Sequence, residues 1–203
     1  MKNVMFKPDN KTTNLMITGR CSFNCPGCNK KNDYFELPTA SWKKTIAELK
    51  KIGIQNVVFG GAEPLMRTDI IELASHAKKL GMHFALSTNG KTLYEFTCDD
   101  LKNFDYIIIS WHKKAVIFER SLKQLKKCSI PSVISYIYDK RHQNDLDYVK
   151  KCSKIYGAQL NFQCYEPIEN NDCGNRIPFN DVIKIVEEAK KEGYNVSFSC
   201  RPE

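Results

Sequence analysis

The segment Tyr106-Ile107-Ile108-Ile109-Ser110-Trp111 decides the fold of this 203-residue chain. Three consecutive isoleucines leave no polar face, so a strand built from them is covered on both sides, as in parallel sheets flanked by helices. Working outward from it, short β-rich runs alternate with amphipathic helical stretches. Upstream, Asn14–Thr18, Asn56–Phe59 and Met82–Ser87 read as strands. Ser41–Ile52 reads as a helix with Trp42, Ile46 and Leu49 on one face and Gly53 as its stop. Asp69–Leu80 is a second helix, capped by Thr68 and apolar along Ile70, Leu73, Ala74 and Ala77. Leu93–Lys102 is helix-like but rich in polar residues. Downstream, Ala115–Cys128, Leu146–Tyr156 and Asn180–Glu192 are helices, Ser132–Tyr138 and Gln159–Cys164 are strands, and Asn195–Ser199 is a candidate final strand. Six β–α units in series predict an α/β fold with a parallel sheet and outer helices. No low-complexity tract or long linker interrupts them, so the expectation is one domain over residues 1–203 with a core at about 11–199.

Composition narrows the function class. The hydrophobic fraction of 42% is ordinary for a globular protein and allows a large core. The net charge of +8 is compatible with an anionic ligand or an acidic peptide. The lysines, however, are scattered through helix patterns, as in Lys43, Lys44, Lys50 and Lys51, and read as solvated faces, so nucleic acid is not an expected partner. No apolar run is long enough to span a bilayer, and Met1–Asn10 is polar, without the apolar stretch of a secretory signal. The expectation is a cytoplasmic protein with no membrane partner. In a reducing compartment, nine cysteines point to metal binding before disulfides.

Ligands of α/β sheets and barrels sit at the C-terminal ends of the strands. Two long loops leave from that end, Cys21–Thr39 and Tyr165–Phe179. The first carries Cys21, Cys25 and Cys28 in the run Cys-Ser-Phe-Asn-Cys-Pro-Gly-Cys. Three close thiolates are soft ligands suited to an iron–sulfur cluster or zinc. Most clusters take four cysteines, and no fourth follows here at a short spacing, which would leave one iron open for chemistry. Phe59-Gly60-Gly61-Ala62-Glu63-Pro64 follows the second strand, Ser87-Thr88-Asn89-Gly90 the third and Ser110-Trp111-His112 the fourth.

The C-x3-C-x2-C spacing, the Gly-Gly-Ala-Glu-Pro turn and the six β–α units together resemble the radical S-adenosylmethionine (radical SAM) enzymes, over about Lys11 to Ser199. The resemblance implies a partial (β/α)6 TIM-like barrel in a minimal form, without a complete C-terminal domain for auxiliary clusters. It implies a [4Fe-4S] cluster on Cys21, Cys25 and Cys28, and S-adenosylmethionine chelating the open iron. The activity it implies is reductive cleavage of S-adenosylmethionine to a 5′-deoxyadenosyl radical that abstracts hydrogen from a substrate. An electron donor such as flavodoxin or ferredoxin is implied as well.

On this reading Gly61 and Ala62 let the backbone approach the methionine amino group, Glu63 places a negative charge near that ammonium, and Pro64 stiffens the turn. Ser87, Asn89 and Ser110 are placed for ribose hydroxyls or the methionine carboxylate, and Ser135 and Tyr136 for adenine. Two positions depart from the family pattern. Ala62 stands where a further glycine is usual, and Gly27 stands where an aromatic residue usually lies against the cofactor, leaving Phe23 or Tyr165 to cover adenine.

The remaining candidates keep more than one reading. Cys128 and Cys152 extend apolar helix faces as small buried hydrophobes, and Cys98 is structural. Cys164, Cys173 and Cys200 are structural, ligands of an auxiliary cluster, or, for Cys164 or Cys200, a thiol that returns a hydrogen atom to a substrate radical. His112 is a polar group on the catalytic side, while Trp111 is packing or a substrate wall. Arg141 and His142 meet an anionic group or solvent. The substrate expected is a peptide undergoing cyclisation or epimerisation. The alternatives are activation of a glycyl-radical enzyme, a small-molecule deazapurine-type synthesis and, outside the class, a non-catalytic iron–sulfur or zinc module that binds nucleic acid.

Overall fold

The computed structural model describes residues 11–25, 28, 36–165 and 174–199. Seven strands form one sheet: β1 (Thr12–Met16), β2 (Asn56–Gly60), β3 (His83–Thr88), β4 (Tyr106–Ser110), β5 (Ser132–Tyr138), β6 (Gln159–Cys164) and β7 (Val196–Ser199). Every neighbouring pair is parallel, and spatial order equals chain order. The sheet curls into a partial TIM-like barrel. The connections carry α1 (Thr39–Lys51), α2 (Ile70–Lys79), the one-turn α3 (Cys98–Leu101), α4 (Ala115–Lys127), α5 (Leu146–Tyr156) and α6 (Phe179–Lys191).

Strand periodicity of two divides each strand between two faces. Val57, Phe59, Phe84, Leu86, Ile107 and Ile109 enter one core with Ile46, Leu73, Phe118, Val149 and Val186 from the helices. Phe59 meets Phe84 edge-on with ring centroids 4.1 Å apart, an arrangement worth about 1 kcal/mol beyond area burial. Val58, Ala85 and Val133 are equally buried but lie outside that cluster, because they point to the concave inner face. The isoleucine run obeys the same rule: Ile107 and Ile109 enter the helix side, and Ile108 lines the inner face.

Several expectations change. The polar stretch after β3 is not one helix but a 3-10 turn at Leu93–Glu95 followed by α3. Thr97 ends the continuity by forming a capping box with Asp100, which starts a new helix instead of extending the old one. Thr68 does not cap α2; Asp69 occupies that position, and its carboxylate is spent on Arg67 and Thr39. Cys98 and Cys128 are joined in a disulfide with their Cα atoms 5.1 Å apart, tying the start of α3 to the end of α4. Cys128 is thus not a free buried hydrophobe, and the expectation of metal binding before disulfides fails for this pair. Cys152 is free and buried, and burial pushes its thiol up. Among the described residues, no helix is long and apolar enough to cross a membrane.

Gly61 is a glycine that a side chain cannot replace without moving backbone. Its φ is +117°, and a Cβ there would lie 2.6 Å from the Thr18 carbonyl oxygen. Gly53, at φ +92°, has open space around it, with nothing within 4 Å of where a Cβ would lie. Gly53→Ala is therefore expected to cost only backbone strain, about 1–2 kcal/mol. Gly61→Ala adds a backbone clash and is expected to cost more than about 3 kcal/mol. Urea unfolding of the two variants measures the difference.

Candidate active site

The run after β1 is brought against two other strand ends. Cys21 Sγ accepts from the Phe23 N–H at 3.3 Å and from Asn89 Nδ2, just past β3, at 3.6 Å. Cys25 Sγ lies 3.7 Å from Nδ1 of His112, just past β4, and the Phe23 ring meets the His112 ring edge-on at 5.7 Å. The Cys28 N–H bonds the Cys25 carbonyl at 3.3 Å. Cys21, Cys25 and Cys28 are not disulfide-bonded. His112 beside Cys25 is the type of fourth ligand that zinc would take. Yet among the described residues no three His, Cys, Asp or Glu side chains close on one ion position. Thiolates of a cluster bind separate irons and need no such point, so the donor set fits a cluster better than a single zinc.

The turn after β2 is tied inward. The Ala62 N–H bonds Thr18 O at 3.0 Å and the Glu63 N–H bonds Arg20 O at 2.8 Å, fastening the turn to the base of the cysteine loop. Glu63 was expected to face a ligand ammonium. Its side chain instead turns inward and the residue is 1% exposed. Oε1 accepts from Thr88 Oγ1 at 2.6 Å and from the Leu65 N–H at 3.0 Å, and Oε2 accepts from the Asn89 N–H at 2.7 Å. Burial pushes this carboxyl above its usual range, although all three bonds oppose the shift. Glu63 is therefore a positioning residue: it fixes the end of β3, and through it the Asn89 side chain on Cys21.

On the inner face, register builds a polar row. Ser110 pairs with Ser135, Ser135 with Asn161, and Asn161 with Ser197 across β4, β5, β6 and β7. One inward step below, Ile108 pairs with Val133, an apolar floor. Ser87 shares the inner face in register with Ile108. Ser110 and Ser135 thus share one level of the inner face, and Ser87 stands one inward step lower beside Ile108.

Other expected residues go elsewhere. Tyr136 was expected at adenine, but it is 0% exposed in the helix-side core, and its hydroxyl donates to the His142 carbonyl. Strand alternation puts it opposite Ser135. Trp111 is also packing, against Phe118 and Tyr148, with its Nε1 donating to Asp145 at 3.0 Å. Cys164 is disulfide-bonded, so it is not a free thiol that can return a hydrogen atom. Gly27, Cys173 and Cys200 lie outside the described residues. Arg141 is partly buried and engaged: it forks onto the buried Asp139 at 2.9 and 2.7 Å, and its guanidinium stacks 4.3 Å from the centroid of Tyr165. Phe23 stays beside the cysteines, whereas Tyr165 is largely buried under Arg141.

A charge clamp closes the base of the cysteine loop, and the sequence reading missed it. Arg20, one residue before Cys21, holds Glu36 with two bonds of 2.9 Å, and Thr18 donates to the same carboxylate. Arg67 is buried, forks onto Asp69 at 2.8 and 2.7 Å, and donates to the carbonyls of Ile17 and Leu37 at 3.0 and 3.3 Å. Asp69 in turn accepts from Thr39 at 2.6 Å. Partial burial opposes ionisation of Glu36, but Arg20, Thr18 and Arg67 outweigh it and hold the carboxyl below its usual range. The only sequence signal was an unexplained Arg67–Asp69 pair beside the glycine turn.

Three comparisons bear on this geometry. Residues 15–113 match the family model of the Radical SAM superfamily. The PqqA peptide cyclase of Bradyrhizobium diazoefficiens is 40% identical over 83 residues, which are 39% of this chain and 22% of that protein. SuiB of Streptococcus suis, solved alone, with S-adenosylmethionine and with its precursor peptide SuiA, superposes with a TM-score of 0.77 at 15% identity. That match covers 95% of this chain and 49% of SuiB when solved alone. The structure of anSMEcpe with S-adenosylmethionine and the Kp18Cys peptide superposes with a TM-score of 0.67 at 15% identity, over 91% of this chain and 62% of that one. At such identities the two structures speak for the fold. The chain spans about a fifth of the curated relative and about half of SuiB.

Two expectations follow from the site. Glu63→Gln puts an NH2 group against donors that need an acceptor, and is expected to cost about 1–3 kcal/mol in denaturant unfolding. Glu36 has a folded-state pKa below its reference of 4.5, so its contribution is present above that value and is lost as pH falls through the lowered pKa. Glu36→Gln is expected to melt earlier than wild type at neutral pH and to converge with it as pH falls below the lowered pKa of Glu36.

Proposed function

The chain belongs to the radical SAM superfamily, and from that membership we propose that it cleaves S-adenosylmethionine reductively and uses the product to modify a peptide. The observation that carries this reading is the contact of Asn89 with Cys21 and of His112 with Cys25 at the ends of β3 and β4, with Cys28 bonded back to Cys25. Cys21, Cys25 and Cys28 would hold a [4Fe-4S] cluster. When bound, the cluster and S-adenosylmethionine supply one-electron cleavage of the sulfonium C–S bond, giving methionine and a 5′-deoxyadenosyl radical that takes a hydrogen atom from the substrate.

The chain's own residues bind and orient. Asn89 and the Phe23 amide orient the Cys21 sulfur, and His112 lies beside that of Cys25. The Gly60 and Glu63 carbonyls accept from Ile17 and Met66, so among the described residues it is the Gly61 and Ala62 carbonyls that the turn has to offer an ammonium. Ser87, Ser110 and Ser135 present hydroxyls to ribose or the carboxylate, and Phe23 offers a ring to adenine. The apolar floor of Ile108 and Val133 limits water beneath the reacting carbon. The peptide assignment draws on the cyclase relative and on the peptide-bound neighbours. Flavodoxin or ferredoxin is the class of electron donor.

The test is anaerobic reconstitution with iron and sulfide, followed by dithionite and S-adenosylmethionine. 5′-Deoxyadenosine is expected from the wild type and none above background from Cys25→Ala. A fully loaded wild-type cluster that yields none overturns the reading. Activation of a glycyl-radical enzyme would instead leave a protein-based glycyl signal on a partner in electron paramagnetic resonance.

A further inference from the structure

Inward positions of β6 carry an unusual series: Gln159, Asn161 and Gln163, three carboxamides separated by the core residues Leu160 and Phe162. Beside them on β7 stand Ser197 and Ser199, and on β5 Ser135. None of these six groups is charged. A phosphate or carboxylate would find no countercharge on this wall, whereas a neutral amide finds both donors and acceptors.

Asn161 gives the wall its polarity. It is 5% exposed, and its Oδ1 accepts from both Ser197 Oγ at 2.9 Å and Ser199 Oγ at 3.1 Å. Two hydroxyls fill both lone pairs of that oxygen and fix which way the amide points. The Nδ2 group has no acceptor among the described residues, so a nine-tenths-buried donor is held in place with its bonds unspent. One inward step lower, Gln159 Oε1 is buried and also without a partner among the described residues. Inward positions recur about 6.6 Å apart along β6, the repeat at which an extended peptide presents successive carbonyls on one side, so a peptide laid parallel to the strand can meet Asn161 with one of them. Asn161, Ser197 and Ser199 lie two to three strands from Ser110, about 10–14 Å away, which separates them from the cysteine loop at β1, β3 and β4.

We propose that Asn161, oriented by Ser197 and Ser199, is a substrate-positioning residue that donates from Nδ2 to a main-chain carbonyl of an extended peptide laid along β6. This rests on the peptide reading above and adds the residue that would select an amide over an anionic small molecule.

The probe is a mixture of random-sequence hexapeptides blocked as N-acetyl and C-terminal amides. The mixture is offered to the full chain with its cluster and S-adenosylmethionine, and retained peptides are identified by ultrafiltration and mass spectrometry. Asn161→Asp keeps an acceptor for both serine hydroxyls but removes the donor. The expected result is a retained subset whose affinity falls at least tenfold in Asn161→Asp. A second measurement needs no variant: in the wild type labelled with ¹⁵N-asparagine, the Asn161 side-chain amide signal is expected to shift saturably with a retained peptide. Retention within twofold in Asn161→Asp, an unmoved amide signal, or no peptide retained by the wild type each overturns the proposal. 5′-Deoxyadenosine from wild type with dithionite, assayed separately, reports on the enzyme reading and distinguishes its failure from failure of the amide wall.

Discussion

The arrangement at the strand ends depends on one buried carboxylate. Glu63 accepts from Leu65, Thr88 and Asn89, and so joins the turn after β2 to the end of β3. Burying a carboxylate is costly unless hydrogen bonds meet it, and here three donors do. The consequence reaches the cysteines by two routes. Asn89, placed by its backbone bond to Glu63, touches Cys21 with its side chain, and the turn's own amides grip the Thr18 and Arg20 carbonyls at the root of the loop. Gly61 is what lets the turn come that close, since a side chain there would meet the Thr18 backbone.

The Glu36–Arg20 and Arg67–Asp69 clamp works on the same loop from the other side. Its members come from β1's exit, the turn before α2 and the start of α1. Exposed ion pairs are worth little. Arg67 differs because it is buried and bonded to two carbonyls as well as Asp69, so removing a partner would leave an uncompensated charge. The described entrance and exit of the cysteine loop are held by charge.

Much of this was legible in the chain. The Ile107–Ile109 run and the alternating helices pointed to a parallel sheet with outer helices, and the cysteines, the glycine turn, Asn89 and His112 could be placed just past strands from the order of the chain alone. What sequence reading mistook was direction. Glu63 looked like a group for a ligand and turned inward; Tyr136 looked like a cofactor contact and belonged to the core, because parity on β5 assigns the inner face to Ser135. Cys98 and Cys128 are 30 residues apart, and nothing in their separate helical patterns announced that they would meet.

By itself the sequence determined the order of the elements, the alternation of faces along each strand and the local chemistry of the cysteine loop, because those follow from periodicity and from residues adjacent in the chain. Only the tertiary structure decided which polar groups share a row. Ser110, Ser135, Asn161 and Ser197 are far apart in sequence and become neighbours through strand register. The same holds for the direction of the Glu63 carboxylate and the orientation of the Asn161 amide, which depend on donors supplied by other strands and loops.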